Sequence, residues 1–458
     1  MNIPIIRLSR KTALLLGSLL TCLLVYAVLT PKAAAAGFRD VPASHWAYES
    51  ISHMSARGLI QGSGGNFHPN EPVSQQAFLS MVCRAAGLDD RNLQSGDNWA
   101  DPAMAYAFYQ GWCEEDEINR SSRAKPISRE LAAKLLINAL FHQELGRYAP
   151  PSFRDAGQIS QDRRPYVETA AALDLLNGYD NDCFRPQSSL TRAAAAALLS
   201  RALARLEADH PAAGASLQVP VLMYHDISYL GQGYSKTPEI FERQMQELKD
   251  AGFHTVSYSQ LVDYVERGTA LPGKPIVISI DDGYRTNYTY AFPILKKLDM
   301  KAEISLIGAA IQYSSWGLKW DEIQEMAASG LVSFQCHTFF MHGNYTAEGG
   351  RLGVLKAKNE SWQAYTEALG ADTVKALDML ETKTGTRPIA YTYPMGKWNQ
   401  LAEAMVSSLD CKVTVTTKDG VAEVRQGDPS SLHLMDRIGM DFLNGSVLKV
   451  LRRYGYRG

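Results

Sequence analysis

An excess of either charge is missing from this chain: 46 Lys and Arg against 48 Asp and Glu leave a formal net charge of −2 over 458 residues. A nucleic-acid partner usually shows as a strongly basic footprint, so none is expected. Cysteine is scarce too. Cys22 lies in the first segment, and Cys83, Cys113, Cys183, Cys336 and Cys411 are scattered through the rest. An odd, dispersed set in a large chain is no disulfide framework, and no pair has the Cys-x-x-Cys spacing of a metal site. These residues read mostly as small buried apolar groups. Also missing is a second carboxylate pair placed for glycoside hydrolysis. What is present, 46% hydrophobic and 21% charged residues, describes a folded protein too long for one ordinary core.

The first segment is the most direct signal of destination. Arg7, Arg10 and Lys11 precede an uncharged stretch from Thr12 to Leu29, followed by Ala33 to Ala36. A basic start, an apolar middle and a small-residue exit predict a secretory signal peptide over residues 1–36. An uncleaved membrane anchor is the alternative, because the apolar stretch is close to the minimum spanning length. Thr21 and the apolar residues after Cys22 fit a lipoprotein site poorly. Either way, the rest of the chain is expected outside the cell, and a membrane contact only if the segment is uncleaved.

An internal repeat follows. Phe38-Arg39-Asp40-Val41 returns as Phe153-Arg154-Asp155-Ala156. His45-Trp46-Ala47, an apolar stripe through Ile51, Met54 and Leu59, then Gly62, Phe67 and Pro69 follow the first. A stripe through Ala171, Leu175 and Leu176, then Gly178, Phe184 and Pro186, follows the second. Beyond each proline an Ala- and Leu-rich helix is predicted to begin, with Ser74 or Thr191 as N-cap. A weaker middle copy runs from Trp99-Ala100-Asp101 to Ile127-Ser128-Arg129-Glu130. These residues resemble the S-layer homology domain. The resemblance implies α-helical repeats at 37–92, 93–146 (degenerate) and 147–206, which bind a secondary cell-wall polymer of a Gram-positive-type envelope. It points to Arg129, Arg192, Trp46 and Asp40 as polymer-binding residues. The planar forks of Arg129 and Arg192 suit a carboxylate. The alternative is that both arginines merely solvate a helix start. In the first copy Gln75 or Gln76 occupies the arginine position.

A linker rich in Ala, with Pro211 and Gly214, is expected at 207–217. Beyond it, β-branched runs at 219–224, 276–280, 302–307, 332–335, 389–393 and 413–416 alternate with helical patterns. Such alternation through residues 218–458 predicts a parallel sheet closed into an α/β barrel, with chemistry at the C-terminal strand ends. Three such ends carry polar residues. Ile280 runs into Asp281-Asp282-Gly283, and adjacent buried carboxylates need a cation nearby. Cys336 runs into His337, with His342 five residues on. On a helix those two would lie about 140° apart, so a strand end and loop must converge them. Two histidines and one carboxylate leave zinc an open position. Tyr224 runs into His225, placed to supply a proton near neutral pH.

Ser279 to Gly283, His337 to His342, and Thr392-Tyr393-Pro394-Met395-Gly396 together resemble the NodB-type polysaccharide deacetylases of carbohydrate esterase family four. Met223-Tyr224-His225 and the longer histidine spacing are similar to its circularly permuted branch of poly-N-acetylglucosamine deacetylases. The resemblance implies a deformed (β/α) barrel, Asp282, His337 and His342 as ligands of a divalent ion (commonly Zn2+), Asp281 as general base and His225 as general acid. It also implies an oxyanion donor in the backbone of the Tyr393-Pro394-Met395 turn, where Met395 replaces the usual aromatic residue. Thr392 stands where many relatives have an arginine, which leaves Arg437 to orient Asp281, with Arg387 second. His433 imitates the acid of unpermuted relatives and rivals His225. Tyr284, Trp316, Trp320 and Trp398 are candidates for stacking on sugar rings. The implied function is wall-anchored, metal-dependent removal of acetyl groups from poly-N-acetylglucosamine or peptidoglycan. An O-acetyl esterase of xylan type and a catalytically silent wall-binding protein are the alternatives.

Overall fold

A computed structural model describes residues 37–93, 98–148, 153–179, 181–208, 214–231, 233–343 and 351–456. The expected signal segment and Cys22 lie outside them. Among the described residues no helix is long and apolar enough to cross a membrane. All five described cysteines are free, and all but Cys183 are buried, as small apolar residues would be.

The N-terminal region is helical, in pairs: α1 (Tyr48–Ala56) with α2 (Gln75–Ala85), α3 (Asp101–Tyr109) with α4 (Arg129–Leu140), and α5 (Arg164–Ala172) with α6 (Arg192–Ala208). Each second helix starts on a hydroxyl cap. Ser74 accepts from Ala77 N, Ser128 from Leu131 N and Thr191 from Ala194 N, which satisfies N–H groups the helix leaves open. The segments before these caps cross-link by isolated bridges, Pro72 with Thr191, Ser74 with Pro126 and Ser128 with Ser189. Every pair is thereby stitched to the other two. The repeated aspartates do the same local work twice. Asp40 accepts from Phe67 N (2.7 Å) and His68 N (2.6 Å), while Asp155 accepts from Phe184 N and Arg185 N (both 2.7 Å).

The C-terminal region is a barrel of β1 (Val221–Tyr224), β2 (Pro275–Ile280), β3 (Ala302–Leu306), β4 (Val332–Cys336), β5 (Ala390–Thr392), β6 (Val413–Asp419) and β7 (Met435–Gly439). Each strand pairs in parallel with the next, and β7 closes on β1 through Ile438 opposite Leu222 and Gly439 opposite Met223. Closure leaves no exposed edge in the ring. It also explains why β2 is buried at all six positions and reads as a continuous apolar run. The crossovers are α7 (Pro238–Asp250), α8 (Tyr258–Arg267), α9 (Phe292–Leu298), α10 (Trp320–Ala328), α11 (Trp362–Thr384) and α12 (Gln400–Ser408). They fall where the helical patterns separate the β-branched runs. β7 was not predicted: it carries Asp436 and Arg437 within five residues, so its sequence does not look like a buried strand.

Residues 209–213 of the expected linker lie outside the described residues. Helix α6 runs to Ala208, and a strand from Ser216 to Val219 pairs antiparallel with Ala422–Arg425 on the barrel flank. The two regions also pack directly. α3 is apolar all round and buried from Pro102 to Ala107, the composition of a helix covered on every side. It lies against α11 and α12 in one hydrophobic core holding Tyr106, Leu369, Leu377, Leu401 and Met405. A Cβ on Gly370 would sit 2.0 Å from the Tyr109 hydroxyl, so glycine is what lets the helices meet. Gln110 donates to Ser408 (2.7 Å) and Gln363 to Glu115 (2.7 Å) at the margin.

Candidate active site

The turn after β2 separates two neighbouring carboxylates. Asp282 and Gly283 both have left-handed backbone (φ 71° and 75°), which Asp tolerates better than most residues and Gly freely. A side chain at Gly283 would meet Leu306 at 2.4 Å. Asp281 turns inward and meets Arg437, a fully buried arginine on β7. The guanidinium donates to both carboxylate oxygens (2.8 Å each), to Ser279 Oγ (2.9 Å) and to Thr416 O (2.7 Å). Burial by itself raises the Asp281 pKa. The charge and hydrogen bonds of Arg437, with His337 and His225, outweigh it and hold the carboxyl below its ordinary value. Asp281 is thus kept ionised in a dry place. Arg387, the second choice for this partner, follows α11 and pairs back to Asp378 and Glu381 on that helix instead.

Asp282 turns the other way. Its Oδ1 lies 3.4 Å from His337 Nε2 and 3.4 Å from His342 Nε2, and the three ligand atoms fall within 4.8 Å of one another. His337 Nδ1 is 2.7 Å from Thr392 O, a pure acceptor. That nitrogen therefore carries the proton, which leaves the Nε2 lone pair facing Asp282. The bend between the two histidines is held from outside. Thr338 is left-handed (φ 69°), and Asp372 of α11 accepts from Phe339 N (2.8 Å) and Phe340 N (2.6 Å). His342 Nδ1, buried, finds no partner among the described residues. Two imidazole lone pairs and a carboxylate converging without intervening donors fit a divalent transition ion.

Across the mouth, His225 follows β1. Its Nε2 is 4.0 Å from Asp281 Oδ2, and its Nδ1 is 2.8 Å from Asp441 Oδ2. Asp441 also accepts from His225 N (3.2 Å), which fixes the ring. Burial lowers the His225 pKa, but the Asp441 hydrogen bond and the charges of Asp281, Asp441 and Asp282 carry it up to about 9. Asp441 was missed in the sequence. Its signal is a carboxylate two residues beyond a strand end, visible only once β7 is known to be a strand. His433 precedes the first residue of β7, roughly 16 Å of strand from the mouth. It pairs there with Glu403 (2.6 Å) and not with Asp281.

Met395 follows β5 in a left-handed turn (φ 54°), half exposed. Its methyl group lies beside Gly343, next to His342. Tyr284 and Trp316 pack ring to ring at 4.7 Å, while Trp320 is covered by Lys383 and Trp398 packs on the core. In the helical region Trp46 is exposed beside His45. The arginines there are clamps between helix pairs, not solvated helix starts. Arg192 donates to Phe67 O and Gln61 O (2.7 Å each) and lies 4.6 Å over the Phe67 ring. Arg129 donates to Phe184 O (2.8 Å) and Asn177 O (2.7 Å) and lies over Phe184 at 4.7 Å. Their guanidiniums are thereby engaged by carbonyls of the next loop rather than by a carboxylate.

Residues 268–414 match the family model described as polysaccharide deacetylase. Residues 37–79 and 152–196 match the S-layer homology domain, and the stretch of the expected middle copy is not among them. The poly-beta-1,6-N-acetyl-D-glucosamine N-deacetylase of Escherichia coli (strain K12) is 27% identical over 209 residues, 40% of this chain and 31% of its own length. The chain therefore spans less than a third of that relative. The surface-layer 125 kDa protein of Lysinibacillus sphaericus is 27% identical over 198 residues, 41% of this chain and 17% of its own. A solved polysaccharide deacetylase from Bacillus cereus is 27% identical and covers 52% of this chain and 69% of its own, with a TM-score of 0.42. The chain thus carries S-layer homology domains followed by a polysaccharide deacetylase domain, and Asp281, Asp282, His337 and His342 all fall within the matched part of the latter.

Proposed function

We propose that this protein is a cell-wall-anchored N-deacetylase of poly-N-acetylglucosamine, with peptidoglycan as the second substrate, secreted and held at the surface by three S-layer homology repeats. The permuted branch of the family is the better fit, because the acid sits on the first strand of the barrel. The observation that carries the reading is the division of labour at the mouth. Asp281 is paired with Arg437 and His225 with Asp441, while Asp282, His337 and His342 converge on a third point.

Asp282, His337 and His342 would hold the divalent ion, zinc in the simplest case. When bound, it polarises the acetyl carbonyl and lowers the pKa of water toward about 7. Asp281, ionised and aimed by Arg437, takes the proton of the attacking water. His225, protonated at neutral pH, gives its Nε2 proton to the departing sugar nitrogen as the C–N bond breaks. Acetate and a free amine leave, and the base and acid return to their starting forms by exchange with solvent. The backbone N–H at Met395 is the donor proposed for the developing oxyanion. In the helical region, polymer binding is assigned to Trp46 and to the loops pinned by Asp40, Arg129 and Arg192.

The test is acetate release by the zinc-loaded full chain from β-1,6-linked N-acetylglucosamine oligomers, peptidoglycan fragments and acetylated xylan. Release from an N-acetylated glycan that is lost in Asp281→Asn supports the reading. Release from xylan alone would replace it with an O-acetyl esterase, and none at all, with zinc bound, with a wall-binding protein.

A further inference from the structure

Beside His225 the barrel mouth carries two aromatic rings that the catalytic groups do not need. Tyr234 is 59% exposed and Phe442 72% exposed, yet they pack on each other at 5.9 Å, and Tyr234 packs on the His225 ring at 5.2 Å. The loops that carry them are held by buried polar side chains.

Ser235 and Lys236 pair with Asp226 and Ile227 in a short parallel ribbon. Buried Asp226 accepts from Ser228 Oγ (2.5 Å), Ser235 Oγ (2.7 Å) and the Thr286 hydroxyl. Lys236, 1% exposed, sends its ammonium into the opposite loop, to Leu443 O (3.0 Å) and Asn444 Oδ1 (2.8 Å). Gln244, fully buried on α7, donates to Leu443 O as well (2.7 Å). Two buried side chains therefore lock the backbones on either side of the ring pair while the rings themselves face solvent. Rigid support under exposed, rotamer-poor aromatics is the build of a binding surface, since little side-chain entropy is lost on contact.

We propose that Tyr234 and Phe442 form a stacking subsite for the pyranose ring adjoining the residue being deacetylated. The occupant follows from the neighbour. On the reading of His225 as the acid, on which this inference rests, the sugar nitrogen is delivered to His225. The next ring of the polymer then comes over Tyr234, where its apolar C–H face meets an aromatic face. One N-acetylglucosamine seated at His225 does not also cover this surface; the next ring of a polymer does.

The experiment uses the zinc-loaded full chain and its Tyr234→Ala and Phe442→Ala variants, with Tyr234→Phe as the conservative control. The probes are a β-1,6-linked N-acetylglucosamine pentamer, free N-acetylglucosamine and 4-nitrophenyl acetate. Calorimetric Kd and kinetics are both read. About tenfold weaker pentamer binding in each alanine variant is expected, with Tyr234→Phe near wild type. The pentamer-to-ester ratio of kcat/KM should fall by the same factor, with the melting temperature unchanged. Equal pentamer Kd in wild type and both alanine variants overturns the subsite, whether or not acetate is released. Failure of the wild type to bind the pentamer overturns it too. Binding that weakens in the variants, with no acetate released by wild type, leaves the subsite standing and sinks the catalytic reading instead.

Discussion

Replacing Arg437 by Met tests whether the buried ion pair under the site is held together by charge. The guanidinium is 0% exposed and makes four hydrogen bonds, two of them to Asp281, which is 2% exposed. Methionine fills much of the volume but removes every donor. The Asp281 carboxylate is then buried without its partner, and breaking such a pair from one side costs about 3–5 kcal/mol. The double variant Arg437→Met/Asp281→Asn removes the orphaned charge and should regain on the order of 2 kcal/mol of that loss. The pH dependence has opposite signs in the two proteins. In the wild type the Asp281 pKa is depressed, so its contribution is present above about pH 4 and lost as pH falls through the folded value. In the single variant burial is opposed only by the charges of His337 and His225, so that pKa rises, and acidification protonates the carboxyl and narrows the deficit. Hydrogen exchange of peptides from β2 and β7 reports opening of the barrel without assuming that the whole chain unfolds in one step. A loss under about 1 kcal/mol at pH 7, a deficit that widens on acidification, or no recovery in the double variant would refute the reasoning.

Asp441→Asn should lower the His225 pKa from about 9, because the carboxylate hydrogen bond that raises it is gone. A catalytic acid must stay protonated, so the alkaline limb of kcat/KM moves to lower pH, and an unmoved limb would remove His225 from that role. Stability follows the same sign: the pair's contribution is full below about pH 6.5 and lost through about pH 9, so the variant's deficit is larger at pH 6 than at pH 10. His342→Ala deletes one of three converging ligands, and zinc affinity by competition with a chelator is expected to drop at least a hundredfold. His433→Gln should keep wild-type turnover, since His433 serves Glu403 at the far end of β7. Gly370→Leu cannot be accommodated against Tyr109, so the repeats and the barrel should uncouple, giving two thermal transitions where wild type gives one.

Legibility in the sequence followed how local each signal was. The strand-helix alternation, the Asp281-Asp282-Gly283 turn after an apolar run, and His337 at the end of another needed only neighbouring residues. So did the helix caps at Ser74 and Thr191 and the paired aspartates of the repeats. The three converging ligands were named on resemblance and on the rule that chemistry collects at strand ends, and their 3.4 Å contacts came only with the fold.

What the tertiary structure alone decided lies at the closure. β7 holds a charged residue that a lone strand could not bury, and Asp281, at the end of β2 on the other side of β1, neutralises it. Until that partner is in place, Met435–Gly439 does not read as a core strand, Asp441 has no reason to meet His225, and His433 cannot be set at the wrong end. The docking of α3 on Gly370 is of the same kind. A helix apolar on every side announces that it is covered, but its own periodicity cannot say by what. Local pattern fixes which face of an element is buried, whereas the identity of the partner depends on contacts between residues 150 or more positions apart, which only the closed barrel and its neighbour bring within reach.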